Sequence, residues 1–186
     1  MILVLFIGCV SSGKSTDSSH QETIITEYFR GNSVSQWNGQ AGEPVKTLIQ
    51  KTYDTENGTL VEEVYQPEEE YVISLQIQDS NFSGLWETAK GTYDVSGRYL
   101  SGEKWHWTEW ESTSTVVENP EGCMECLEIG DYIESTDILS DAVLIATKEV
   151  FHSDGSSYNV QITETLDVVD EDVFSQELAS LQGETP

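Results

Sequence analysis

The chain has 186 residues, of which 34 are Asp or Glu and 8 are Lys or Arg, so its formal net charge at pH 7 is −26. Its isoelectric point lies near 4.1. We expect so acidic a protein not to bind nucleic acid, because binding needs basic side chains that neutralise phosphates. The same charge opposes docking on anionic lipid headgroups.

The N-terminus carries a short apolar run that ends in a cysteine. Residues 1–9 read MILVLFIGC, and a Ser-rich stretch follows over residues 10–22. A small residue before a cysteine, after an apolar run, is typical of a lipoprotein signal peptide. The pattern predicts a lipidated Cys9, a flexible tether over 10–22 and one folded domain over 23–182. The protein is then extracytoplasmic and contacts the membrane through its lipid anchor alone.

Gly8–Ser15 also satisfies the phosphate-binding pattern G-x-x-x-x-G-K-[ST]. In a nucleotide-binding protein, Lys14 would contact the β- and γ-phosphates and Ser15 would bind magnesium. That site requires a strand–loop–helix unit within a chain of alternating strands and helices. The downstream sequence reads as strand after strand, so the nucleotide-binding hypothesis ranks below the lipoprotein hypothesis.

A short helix and a loop are predicted next. Apolar residues recur at helical spacing between Asp17 and Arg30, which predicts an amphipathic helix that leads into the domain, although Thr23–Thr26 would also suit a strand. Those residues are Ile24, Ile25, Tyr28 and Phe29. Residues 32–44 have the composition of a loop.

Strand patterns begin at Val45. A hairpin turn is predicted at 56–58, where the sequence reads Glu-Asn-Gly. The return strand over 60–65 loses its alternation at Glu62 and Glu63, which predicts a bulge. Residues 71–78 then alternate apolar and polar side chains, as in a half-buried strand.

Residues 81–111 hold four of the five tryptophans and predict an aromatic-rich hairpin. Ser96 and Gly97 are suited to its tight turn, because glycine tolerates a positive φ. Trp105 and Trp107 share one face of the returning strand, since side chains alternate along a strand.

Further strands are predicted over 112–117, over 127–133, as one long strand over 138–151, and over 158–168. A closing helix is predicted from Asp172. About eight strands joined by short turns favour an all-β fold, an antiparallel up-and-down β-barrel or a sandwich, with a short helix at one or both ends. We expect a monomer.

The central stretch also carries a resemblance to a known family. Gly91–Leu100, GTYDVSGRYL, resembles the hairpin in the middle of many bacterial lipocalin-like lipoprotein domains, and Gly84-Leu85-Trp86 matches the Gly-x-Trp of lipocalins. The resemblance covers about thirty residues. It implies a barrel of the lipocalin type that binds a small, partly apolar ligand. The wall residues it implies are Trp86, Tyr93, Trp105 and Trp107.

Cys123 and Cys126 form a C-x-x-C pair in an acidic loop. An extracytoplasmic location favours a local disulfide between them. A metal site would need two further nitrogen or sulfur ligands, and no histidine stands at metal-ligand spacing. Free thiols remain the other alternative.

The sequence contains no arrangement that indicates catalysis. No serine lies in a G-x-S-x-G elbow, and no nucleophile, base and orienting group can be assembled. We therefore predict a non-enzymatic protein without cofactor or metal, which binds a small apolar molecule. The alternative is a filled barrel that serves as a surface interaction module.

Overall fold

The computed structural model describes residues 23–103, 106–123 and 126–183. Over these residues the chain forms one antiparallel sheet of eleven strands and one helix. The strands are β1 (Ile24–Trp37), β2 (Gln40–Ala41), β3 (Val45–Asp54), β4 (Thr59–Tyr65), β5 (Glu70–Gln78), β6 (Asn81–Thr88), β7 (Gly91–Glu103), β8 (His106–Glu118), β9 (Tyr132–Ser140), β10 (Val143–Phe151) and β11 (Ser157–Val169). The helix is α1 (Glu171–Leu181).

Ten of these strands close into an up-and-down barrel. From β3 to β11 each strand pairs with the next one along the chain, and β1 pairs with both β3 and β11. The closing pair runs in register from Tyr28 opposite Val169 to Trp37 opposite Val160. Closure leaves these ten strands without a free edge. The predicted all-β antiparallel barrel is confirmed, with ten strands in place of about eight.

The N-terminal prediction was wrong within the described residues. Ile24–Trp37 is strand β1, where the sequence predicted the end of a helix and the start of a loop. The apolar residues fit either period, and pairing on both sides decides for the strand. β1 pairs with β3 over Ile24–Ser33 and with β11 over Tyr28–Trp37. These hydrogen bonds stabilise the strand more than the backbone hydrogen bonds of a short isolated helix would stabilise that helix.

The turn of the aromatic hairpin also lies elsewhere than predicted. Ala89 and Lys90 connect β6 to β7, and Gly97 lies in the middle of β7. A Cβ atom at Gly97 would collide with the Glu111 carbonyl group and the Phe82 ring. This glycine therefore makes room for close packing rather than for a turn.

The predicted strand over 138–151 is two strands, β9 and β10. Asp141 and Ala142 form the turn between them, both with positive φ, 49° and 64°. The predicted strand over 127–133 begins at Tyr132, because Leu127 and Ile129 belong to the preceding loop. The register of β3 and β4 is continuous through Glu62 and Glu63, so the bulge predicted there is absent.

Inward-facing side chains form three apolar clusters. The first lies at the end of the barrel where β5 passes into β6, and it contains Tyr53, Leu75, Ile77, Phe82 and other residues. The second lies toward the opposite end, around Tyr93, Val116, Ile133 and Val150. The third, Ile49, Val64 and Leu166, lines the wall made by β3, β4 and β11. Trp86 packs against the first two clusters.

The predicted closing helix is confirmed as α1, and it packs outside the barrel. Phe174 is buried, with its ring centroid 5.0 Å from that of Tyr28 and 6.1 Å from that of Tyr65. Glu177 forms ion pairs with Arg30 at 2.8 Å and Lys46 at 3.0 Å. The helix thus does not enter the barrel interior. Among the described residues, no helix has the length and apolar character needed to span a membrane.

Candidate functional site

Charged side chains occupy the middle of the barrel, between the apolar clusters. They come from neighbouring strands of one side of the wall. They are Lys51 on β3, Glu62 on β4, Asp137 on β9, Lys148 on β10 and Glu164 on β11. Each stands two residues from a buried, inward-facing neighbour, as Lys51 stands between Ile49 and Tyr53. The period of two therefore points all five into the interior.

Lys51 and Glu62 form an ion pair of 2.7 Å inside the barrel. Burial is the largest single effect on Lys51 and lowers its pKa, but Glu62, Tyr53 and Glu164 together outweigh it and raise the lysine pKa. The two side chains remain 23% and 20% exposed although they point inward from the middle of their strands. Space that admits water therefore reaches them inside the barrel.

Asp137 and Glu164 are more deeply buried, 7% and 8% exposed. The Ser135 hydroxyl donates a hydrogen bond of 2.7 Å to Asp137. Burial raises the pKa of both carboxyl groups, and the charge of Glu62 raises them further, while Lys148 and Lys51 act in the opposite direction. The fold therefore disfavours their ionised forms.

Aromatic side chains form the facing wall, on β5, β6 and β7. Trp86 stacks on Tyr93 with ring centroids 4.5 Å apart, and Tyr71 meets Trp86 edge-on at 6.0 Å. The Lys148 ammonium lies 5.5 Å from the Trp86 ring centroid, which joins the charged and aromatic walls by a cation–π contact. We call these eight residues, Lys51, Glu62, Tyr71, Trp86, Tyr93, Asp137, Lys148 and Glu164, the interior site.

The indole N–H of Trp86 is buried and lacks a hydrogen-bond acceptor among the described residues. A buried donor without a partner carries a cost of about 1–3 kcal/mol. An acceptor on a bound molecule or an ordered water would remove that cost. The aromatic wall thus offers a hydrogen-bond donor as well as an apolar surface.

The structure brings together some of the wall residues that the sequence predicted. Trp86 and Tyr93 lie in contact within the interior site. Trp107 lies in the first apolar cluster, stacked on Phe82 at 4.9 Å and on Tyr99 at 5.5 Å. Trp105, Cys9 and Gly8–Ser15 lie outside the described residues.

Sequence reasoning missed the charged half of the site. The available signal was the spacing of the charged residues along their strands. Buried apolar residues lie two positions away from each of them, so they point to the same inner face; the residues are Lys51, Glu62 and Glu164. The bulge predicted at Glu62 rests on the assumption that a charged residue at an apolar position of a strand points to the outer face. The charge instead remains inside.

A second polar cluster lies at the barrel end, beside the loop that contains the two cysteines. A disulfide joins Cys123 to Cys126, whose Cα atoms are 5.5 Å apart. Asp131 is 1% exposed and accepts hydrogen bonds from His152 Nδ1 at 2.9 Å and from the backbone N–H of Ser153 at 2.8 Å. Burial alone would raise the pKa of Asp131, but these hydrogen bonds outweigh it and lower the pKa. They tie the loop to the turn after β10.

An open cleft of about 360 Å³ adjoins this second cluster. Its polar lining fits water or a small polar solute better than an apolar ligand. Among the described residues, no group of His, Cys, Asp and Glu side chains is arranged to hold a metal ion. The second cluster thus fastens two loops together.

Comparison of the chain with known protein families, with curated proteins and with solved structures finds no match. The interior site therefore has to be interpreted from its own geometry.

Proposed function

We propose that this protein is a non-enzymatic binding protein that holds a small, partly apolar molecule inside its barrel. One observation carries the proposal: Lys51 and Glu62 point inward from the middle of a closed barrel and still retain 23% and 20% exposure. A filled core would bury them, and ionised groups need either water or a polar partner. This residual exposure supports a space beside them for a small ligand.

The two walls of the interior site support a ligand with two chemically different parts. Stacked Trp86 and Tyr93 offer a flat apolar surface, which suits a ring or hydrocarbon chain. The charged wall opposite offers ammonium and carboxyl groups to a polar substituent. Binding pockets commonly combine an apolar lining with a few convergent polar groups of this kind.

Tryptophan fluorescence tests the proposal. The full chain is titrated with fatty acids, retinoids and haem, and with small aromatic compounds that carry one polar group. Binding at Trp86 should change the emission, and Trp86→Phe should weaken affinity severalfold, up to about tenfold, since an aromatic stacking contact contributes about 0.5–1.5 kcal/mol. Trp37→Phe is the matched control, because Trp37 is half exposed and stacks on Tyr158, which is not a residue of the interior site.

An unchanged emission with every compound would contradict the proposal. The barrel would then serve as a surface module that binds other proteins through its loops and outer face. Far-ultraviolet circular dichroism of the Trp86→Phe variant distinguishes lost binding from lost folding.

We also propose that the protein is an extracytoplasmic lipoprotein anchored through Cys9. The apolar run before Cys9 and the Ser-rich stretch after it support this location. The Cys123–Cys126 disulfide is consistent with an oxidising compartment. Expression with the native leader and mass spectrometry should find a diacylglyceryl group on Cys9, which Cys9→Ser should remove. A cytoplasmic product with an unmodified Cys9 would contradict the anchor.

A further inference from the structure

We propose that the ligand of the interior site is an organic cation, an amine attached to an apolar ring or chain. This inference rests on the proposed function, because it names the class of molecule that the same site takes.

The charges in the middle of the barrel do not balance. Three carboxyl groups in the middle of the barrel, on Glu62, Asp137 and Glu164, face two ammonium groups, on Lys51 and Lys148. Glu27, opposite Lys51 on β1, adds a fourth carboxyl group nearer the barrel end, where it contacts His106. Lys51 lies 2.7 Å from Glu62, so this pair is neutral in itself. One ammonium group then remains for two deeply buried carboxyl groups.

Lys148 does not bind either of these carboxyl groups directly. Its ammonium lies over the Trp86 ring at 5.5 Å, and within the described part of the chain it makes no direct ion pair. Asp137 accepts one hydrogen bond from Ser135, and Glu164 interacts with Ser33. A carboxylate offers about four acceptor sites, so both groups retain capacity for an ammonium donor.

A buried carboxylate without a counter-charge must bind either a proton or a cation. In the ligand-free protein a proton is sufficient, and the raised pKa values of Asp137 and Glu164 agree with that. A bound amine would replace the proton and supply the missing positive charge. Its apolar part would lie against Trp86 and Tyr93, whose ring faces also attract cations.

The charge of the whole chain favours the same class of ligand. A net charge of −26 attracts small cations toward the barrel and repels anions. Lys148 carries a positive charge that would attract an anion. The negative net charge of the chain and the surplus carboxyl group both oppose anion binding.

Three small probes of similar size test the inference. Phenethylamine, 2-phenylethanol and phenylacetate carry a positive, a neutral and a negative group on the same phenyl ring. Isothermal titration calorimetry of the full chain at pH 7.5 and low salt should give phenethylamine a Kd at least tenfold below that of the other two. A Kd for phenylacetate or 2-phenylethanol equal to or below that of phenethylamine would overturn the inference and leave the proposed function standing. Failure of all three to bind would contradict both.

Two variants shift the charge balance in opposite directions. Glu164→Gln removes the surplus carboxylate and should abolish the preference for phenethylamine over 2-phenylethanol. Lys148→Met removes the competing ammonium and should tighten phenethylamine severalfold. The control is Asp167→Asn, which removes an exposed carboxylate from the outer face of the same strand and should leave the preference unchanged.

The inference fails if Glu164→Gln retains the full preference for the amine, or if Lys148→Met weakens amine binding. Circular dichroism establishes that each variant is folded. If Glu164→Gln does not fold, the Lys148→Met result decides.

Discussion

Ala142 adopts a backbone conformation that costs an alanine free energy. It lies in the turn between β9 and β10 with φ = 64°, in the left-handed region where a Cβ atom is disfavoured by about 1–2 kcal/mol. Ala142→Gly should relieve this strain. Glycine loses more backbone entropy on folding than alanine, which offsets part of the gain, so the unfolding free energy should rise by about 0.5–1 kcal/mol. Thermal unfolding should show a rise in Tm of about 1–4 °C.

Ala89 provides the control for that substitution. It lies in the turn between β6 and β7 and is absent from the residues with positive φ. Ala89→Gly should therefore leave Tm unchanged or lower it. An equal rise in both variants would show that the strain at Ala142 is not the cause.

Asp137 makes stability depend on pH. Burial raises its folded pKa above the usual value, so the folded state holds this proton more tightly than the unfolded state. Its contribution is fully present below the unfolded pKa and is lost as pH rises through the folded pKa. Asp137→Asn mimics the neutral acid, so the variant should be more stable than the wild type at pH 7 and should gain less at pH 4.

Urea unfolding at the two pH values measures this difference. Glu134→Gln is the control, because Glu134 lies exposed on the outer face of the same strand. An Asp137→Asn variant that is less stable than the wild type at pH 7 would show that the ionised carboxylate stabilises the barrel.

At the scale of strands, close packing depends on Gly97 in the middle of β7. A Cβ atom there would meet the Glu111 carbonyl group on β8 and the Phe82 ring on β6. Because Glu111 is backbone in this contact, the collision cannot be relieved by a rotamer change. Gly97→Ala should lower the unfolding free energy by about 1–3 kcal/mol or more, as measured by urea denaturation. Gly42→Ala is the control, since its backbone lies outside the left-handed region and the nearest atom to a Cβ there, the Ser35 carbonyl oxygen, is 3.4 Å away.

The same elements explain what the sequence could and could not predict. Alternation over 71–78 and 158–168 predicts strands, because one face of each is buried. The turn at Asp141-Ala142 was missed, because an alanine at φ = 64° is not a usual turn residue. β1 was missed because its apolar residues suit either period, and its partner β11 lies more than a hundred residues away along the chain. Such long-range pairing leaves no local signal.

One half of the candidate site was predictable from the sequence and the other half was not. The stacked pair Trp86 and Tyr93 was predicted from aromatic density and the lipocalin resemblance. The charged wall was not, since polar residues were assigned to the outer face by default. Lys51 and Glu62 stabilise each other across β3 and β4, and only their pairing register brings the two charges together.

The whole molecule carries a net charge of −26, and this charge should set its response to salt. Self-repulsion destabilises the compact state, and salt screens it, with a Debye length of about 3 Å at 1 M. Tm at pH 7.5 should therefore rise by several degrees between about 20 mM and 1 M sodium chloride. Near pH 4.1, the isoelectric point, the repulsion is removed and the same salt increase should have little effect on Tm. A salt-independent Tm at pH 7.5 would mean that the surface carboxylates are spaced widely enough not to repel one another, and an equal rise at both pH values would assign the effect to salt acting on apolar burial instead.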